Sequence, residues 1–214
     1  MNRSFYILLI LLPFAFYSCG GNSYIIDKPI SFSKQRVDLT KEYIKVHYGI
    51  DAQNISIEPK VIVLHWTAID DFEACFNLFN METLNGSRPD LEASGQVNVA
   101  IQFLVDRDGS VYRLMPETEM ARHCIGLNYN SIGVENVGGE NNVDNLTDEQ
   151  IAANIKLVKY LVEKYPGIQY VIGHLEYRLL EGSPLWLEKD PEYRTIKYDP
   201  GKRFMNAVRN GVMK

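Results

Sequence analysis

The chain has 214 residues, enough for one domain and a processed N-terminus but short for two full domains. Hydrophobic residues make up 46% and charged residues 23%, which excludes global disorder and allows a sizeable core. A formal net charge of −5, with no uninterrupted basic cluster, argues against nucleic acid as the main partner.

Met1-Asn2-Arg3 supplies a positive start, followed by an apolar run over residues 5–16 and then Tyr17-Ser18-Cys19-Gly20. A basic start, a short apolar stretch and small residues at the cleavage site describe a secretory signal peptide, not a spanning helix. Cys19 after Ser18 resembles a bacterial lipoprotein processing site, with Cys19 as the lipidated residue. The expected organisation is a signal peptide over 1–18, a leader over 19–35 and one folded domain over 36–214. The protein is then exported to the cell envelope. It touches the membrane only through its lipid anchor, on the periplasmic side of the outer membrane.

Residues 22–35 read as an ordered or semi-ordered leader, and 39–47 as a short helix ended by Gly49. The run 61–66, Val-Ile-Val-Leu-His-Trp, is typical of a strand buried on both faces. Phe72, Phe76 and Phe79 recur at helical intervals over 71–84, and a loop follows through 85–89. Strands over 98–105 and 110–115 flank Asp106-Arg107-Asp108-Gly109, a hairpin with Asp-Gly as its turn signal. A further strand covers 131–137, with Ile132 and Val134 on an apolar face and Ser131, Gly133 and Glu135 on a small, polar one. Thr147 to Gln150 fits a capping box that opens a helix lasting to about 165. A short strand at 170–173 and a closing helix at 204–212 complete one α/β domain. Cys75 and Cys124 read as free, buried thiols. The adjacency of His123 and Cys124 offers no proton transfer, because neighbours in an extended segment point to opposite sides.

The chemistry lies where strands end. His65 closes one strand and His174 another, and in open α/β sheets ligands bind beyond the carboxyl ends of strands. Asp199 is a third candidate. Pro200 biases it toward extended backbone, where Lys197 and Asp199 project to the same side. Two His and one carboxylate with an open fourth position is a standard catalytic zinc arrangement. The plain alternatives are partly buried polar His residues and a turn Asp before Pro-Gly.

Several motifs in order carry a resemblance. Val63-Leu64-His65-Trp66-Thr67-Ala68 and Phe103-Leu104-Val105-Asp106-Arg107-Asp108-Gly109 come first. His123-Cys124-Ile125-Gly126-Leu127-Asn128 then leads into Ser131-Ile132-Gly133-Val134-Glu135, followed by Gly173-His174-x-Glu176 and Lys197-x-Asp199-Pro200-Gly201. Together, from about 61 to 201, they resemble the type-2 N-acetylmuramoyl-L-alanine amidases, a superfamily that includes phage amidases and the peptidoglycan recognition proteins. The resemblance implies an α/β fold with a mixed central sheet flanked by helices. It also implies a Zn2+ ion held by His65, His174 and Asp199, with a peptidoglycan or muropeptide substrate. Glu135 matches the acidic position that works on water, and Lys197 would help stabilise an oxyanion. His123, Asn128 and Arg107 would line the substrate groove, with Tyr129 a further candidate, and Glu176 would support the fold or a neighbouring ligand.

Three features depart from that pattern. His174 and Asp199 lie 25 positions apart, as if residues 176–196 included an inserted loop, which leaves Glu176 or Asp190 as alternative ligands to Asp199. Ile101 stands where many relatives have a Tyr near the metal, and residues 30–59 have no counterpart in the shortest relatives. A non-catalytic peptidoglycan-binding module and a different zinc hydrolase, such as a peptidase, are the competing functions.

Overall fold

The computed structural model describes residues 24–86 and 89–213, so the expected signal peptide and Cys19 lie outside the described residues. The strands are β1 (Ile25–Asp27), β2 (Val61–Leu64), β3 (Phe103–Val105), β4 (Val111–Arg113), β5 (Ser131–Asn136) and β6 (Tyr170–Gly173). They form one six-stranded sheet in the order β1-β4-β3-β5-β2-β6. Only the β3–β4 hairpin is antiparallel, so the sheet is mixed, as expected. The helices are α1 (Lys34–Tyr43), α2 (Phe72–Asn80), the single turn α3 (Pro89–Glu92), α4 (Asp148–Lys164) and α5 (Lys202–Val212). No helix among the described residues is long and apolar enough to cross a membrane.

Alternation along the central strands sorts the core into layers. Ile62, Leu64, Ile132 and Val134 face α4 and α5, packing on Leu157, Leu161, Phe204 and Val208. Val61 and Val63 face the opposite side, against Tyr43, Ile44, Tyr48 and Tyr177. With both faces covered, β2 is fully buried, which is why its sequence is an unbroken apolar run. The Thr147 capping box opens α4: the Thr147 hydroxyl accepts from the Gln150 amide, and the Gln150 side chain accepts from the Thr147 amide.

Three elements depart from expectation. The leader joins the sheet, because β1 pairs in parallel with β4 and Ile30 N donates to the Leu114 carbonyl at 3.0 Å. A three-residue edge strand with half-exposed side chains is too short to show a period. Of the expected strand over 98–105, only Phe103–Val105 pairs. Upstream, buried amide side chains replace the ladder: Asn98 Nδ2 donates to the Leu78 and Met81 carbonyls, and Gln102 Oε1 accepts from Gly133 N. The first helix also begins earlier, capped by Ser33, and runs on as a π-helical turn over Ile44–Tyr48 until Gly49 (φ 66°) ends it.

Candidate metal centre

The register of the sheet brings the first two candidate ligands together. Leu64 pairs with Gly173 across β2 and β6, so the next residue of each strand, His65 and His174, leaves the sheet side by side. Both are buried, and their rings meet at 4.4 Å between centroids. His65 Nδ1 lies 2.9 Å from His174 Nδ1. Asp199 Oδ2 lies 3.1 Å from His174 Nδ1 and 3.3 Å from His65 Nδ1. The chain returns across the 25-residue gap to this point, and the Leu175 amide donates to the Asp199 carbonyl at 2.7 Å, tying the two segments together.

Hydrogen bonding alone does not satisfy this triangle. Asp199, when ionised, only accepts, and the His–His contact requires that one Nδ1 carry no proton. Three contacts of 2.9–3.3 Å are then left to the protons of at most one nitrogen. A divalent cation at the centre would satisfy all three, and the edge of a zinc tetrahedron with bonds of ~2.0–2.1 Å is about 3.4 Å. The residues present therefore fit zinc in donor type and spacing, and all three ligand atoms lie within 4.8 Å of one another.

Charge in the site is sharply perturbed. Burial, and then the neighbouring His174, pushes His65 down to about 4, which keeps it neutral. Burial alone would raise Asp199, but the facing His174 and His65 hold its carboxyl well below the usual range. Glu135 moves the other way: burial, and then the Asp199 charge, raises it well above an ordinary carboxyl, with Lys197 opposing. Glu135 Oε2 is enclosed, without a hydrogen-bond partner among the described residues. His65, His174, Asp199, Glu135 and Lys197 all line one cleft of about 340 Å³.

The remaining candidates are distributed differently. His123 lines the cleft and sits behind His65, its Nδ1 3.0 Å from His65 Nε2. Asn128 borders the cleft, but its side chain is committed to the scaffold. Its oxygen accepts from the His123 and Cys124 amides at 2.8 and 2.6 Å, and its nitrogen donates to Tyr43 Oη. Arg107 is not brought to the cleft. It donates to the Asn145 carbonyl at 3.3 Å and lies 3.8 Å from Asp70, bracing the β3–β4 turn against the 138–145 loop. Glu176 accepts from Gly173 N at 2.9 Å and pairs with Arg209, and Asp190 accepts from the Glu192 amide, so neither joins Asp199 at the ligand triangle. Among the described residues Cys75 and Cys124 are free, both are buried, and burial drives both thiols upward, away from nucleophilic character. Ser131, which shares the polar face of β5 with Glu135, contacts His123 Nε2 at 3.2 Å.

Comparison with known proteins gives the same placement. The family "N-acetylmuramoyl-L-alanine amidase" matches residues 55–202. The endolysin of Escherichia phage T7 is 35% identical over 77 residues, 34% of this chain and 51% of that protein. The chain therefore spans about half the length of that relative. Among solved structures, the N-acetylmuramoyl-L-alanine amidase LysC from Clostridium intestinale URNW is similar with a TM-score of 0.54 at 18% identity, covering 88% of this chain and 97% of that one. AmpD is similar with a TM-score of 0.56 at 20% identity, covering 89% of this chain and 95% of that one. At such identities these two establish a shared fold. The family match covers well over half of the chain and contains all three converging candidate ligands: this chain belongs to the N-acetylmuramoyl-L-alanine amidase family.

Proposed function

We propose that the protein is a zinc-dependent hydrolase that cleaves the lactyl amide between N-acetylmuramic acid and L-alanine in peptidoglycan or its muropeptides. The observation that carries this reading is the convergence of His65 Nδ1, His174 Nδ1 and Asp199 Oδ2 in the cleft that Glu135 also lines. When bound by these three, zinc supplies Lewis acidity, polarising a carbonyl and making water acidic enough to attack near neutral pH.

The chain's own residues do the rest. Glu135, with its raised proton affinity, takes the proton of the attacking water and returns one to the departing L-alanine nitrogen. The Lys197 ammonium lines the same cleft and offsets the negative charge that develops on the lactyl oxygen. Buried His65 and His174 hold their geometry through the sheet, so the ligand set is organised before substrate arrives. An envelope polymer as substrate agrees with export and lipidation at Cys19, which radiolabelled palmitate incorporation, abolished by Cys19→Ala, would test.

The deciding experiment measures metal content of the purified protein and the mass of products from defined muropeptides. About one zinc per chain and release of an intact L-alanyl peptide support the proposal. Zinc-free protein that binds muropeptide without cleaving it would make this a recognition module. Cleavage between two amino acids would make it a peptidase.

A further inference from the structure

Behind His65 runs a chain of hydrogen bonds whose direction is set at its far end. Ser131 Oγ lies 2.8 Å from the Leu127 carbonyl, which can only accept, so the single hydroxyl proton points there. Ser131 Oγ must then accept from His123 Nε2, 3.2 Å away. A singly protonated His123 ring therefore carries its proton on Nε2. The His123 Nδ1 lone pair faces His65 Nε2 at 3.0 Å and can only accept from it. His65 thus keeps its proton on Nε2 and turns an unprotonated Nδ1 toward His174 and Asp199.

We infer that His123 and Ser131 are positioning residues that lock His65 into the Nε2–H tautomer and so keep its Nδ1 lone pair available to the metal. The inference rests on the zinc reading above. Two further features serve the same arrangement. Asn128 holds the His123 backbone from below. Gly133 leaves room for the ring, because a Cβ there would lie 2.9 Å from His123 Cγ and Nδ1. By contrast, His174 Nε2 is enclosed with no hydrogen-bond partner among the described residues, so this tautomer control acts on one of the two imidazoles. Outer-shell partners of this kind typically contribute ~10–100-fold in metal affinity.

The test combines histidine ¹⁵N NMR of the metal-free protein with zinc affinity measured by chelator competition. It compares the wild type with Ser131→Ala, His123→Leu and His123→Asn. His65 should carry its proton on Nε2 in the wild type and become a tautomer mixture in the alanine and leucine variants. Their zinc affinity should fall by roughly 10–100-fold. His123→Asn, whose amide oxygen can take the place of Nδ1 as acceptor, should restore most of it. Wild-type His65 protonated on Nδ1 overturns the inference, as does unaltered zinc affinity in Ser131→Ala, a variant that removes a single hydroxyl. A wild type that binds no zinc at all would instead overturn the zinc reading, while the NMR result would still decide the tautomer.

Discussion

His65 and Glu135 are paired across the β2–β5 ladder. The His65 amide donates to the Val134 carbonyl at 2.8 Å, and the Asn136 amide donates to the His65 carbonyl at 3.2 Å, so Glu135 is the residue opposite His65. Paired residues on adjacent strands project to the same face, about 4.8 Å apart at the backbone. The proposed ligand and the proposed base are therefore delivered to one face by the sheet itself, not by flexible loops. His174 occupies the equivalent place on the other side of β2.

Because the proposed base Glu135 stands outside the candidate ligand triangle, the two proposed roles should separate on mutation. Glu135→Gln should retain zinc at wild-type stoichiometry, while turnover of a muropeptide falls by roughly 10²-fold or more. Metal analysis and rate measurement on the same preparation check this. A variant that stays active would move the proton transfer to another residue.

Lys197 reaches the cleft from the segment that also delivers Asp199. Lys197→Ala should lower kcat by roughly 10²-fold, as loss of an oxyanion donor does, with little change in KM. Lys197→Arg should retain part of the rate by keeping the charge. A rise in KM alone would assign Lys197 to binding and remove it from the chemical step.

How far the site could be read from the sequence follows from distance along the chain. The alternation of Val61, Val63 and His65, and of Ser131, Gly133 and Glu135, is local, so the face of each strand was legible. The Asp106–Gly109 turn and the Thr147 capping box were legible for the same reason: their hydrogen bonds close within four residues. The contact of His123 with His65 spans 58 positions and leaves no periodic trace. Arg107 shows the converse. A cation in a matched motif suggests a groove, yet its guanidinium is held by Asp70 and Asn145, both remote in sequence.

His47 is another residue whose role no local pattern announces. It is buried, with Nδ1 3.0 Å from both Glu188 oxygens, 141 positions away, and Nε2 2.9 Å from the Ser94 carbonyl. The Glu188 side chain is fully enclosed, so this contact clamps the 176–196 segment onto the first helical region, where Lys189 N also donates to the His47 carbonyl. His47→Leu removes the ring partner of the buried Glu188 side chain, leaving the Asp190 amide as a donor to it, and should cost about 3–5 kcal/mol. The double variant His47→Leu/Glu188→Leu should recover much of that loss. Urea denaturation of the three proteins measures both effects, and a single variant as stable as the wild type would show that the pair holds nothing.

Glu117 gives stability a dependence on acid. It is buried between the end of β4 and α4, where Arg113 and Lys164 each approach within 2.8 Å and the Tyr160 and Tyr165 hydroxyls donate to it. Burial alone would raise its pKa, but Lys164, Tyr165 and Tyr160 together lower it. A carboxyl depressed in the folded state contributes its full stabilisation above the unfolded value, about 4.3, and loses it as pH falls through the lower folded value. Glu117→Gln should therefore destabilise the protein by about 2 kcal/mol at neutral pH, the scale of hydrogen bonds to a charged group. The difference should shrink below about pH 4, where the wild-type carboxyl is itself becoming protonated. Urea midpoints for both proteins at neutral and acidic pH test this. A gap of the same size in both conditions would mean that shape, and not charge, makes Glu117 stabilising.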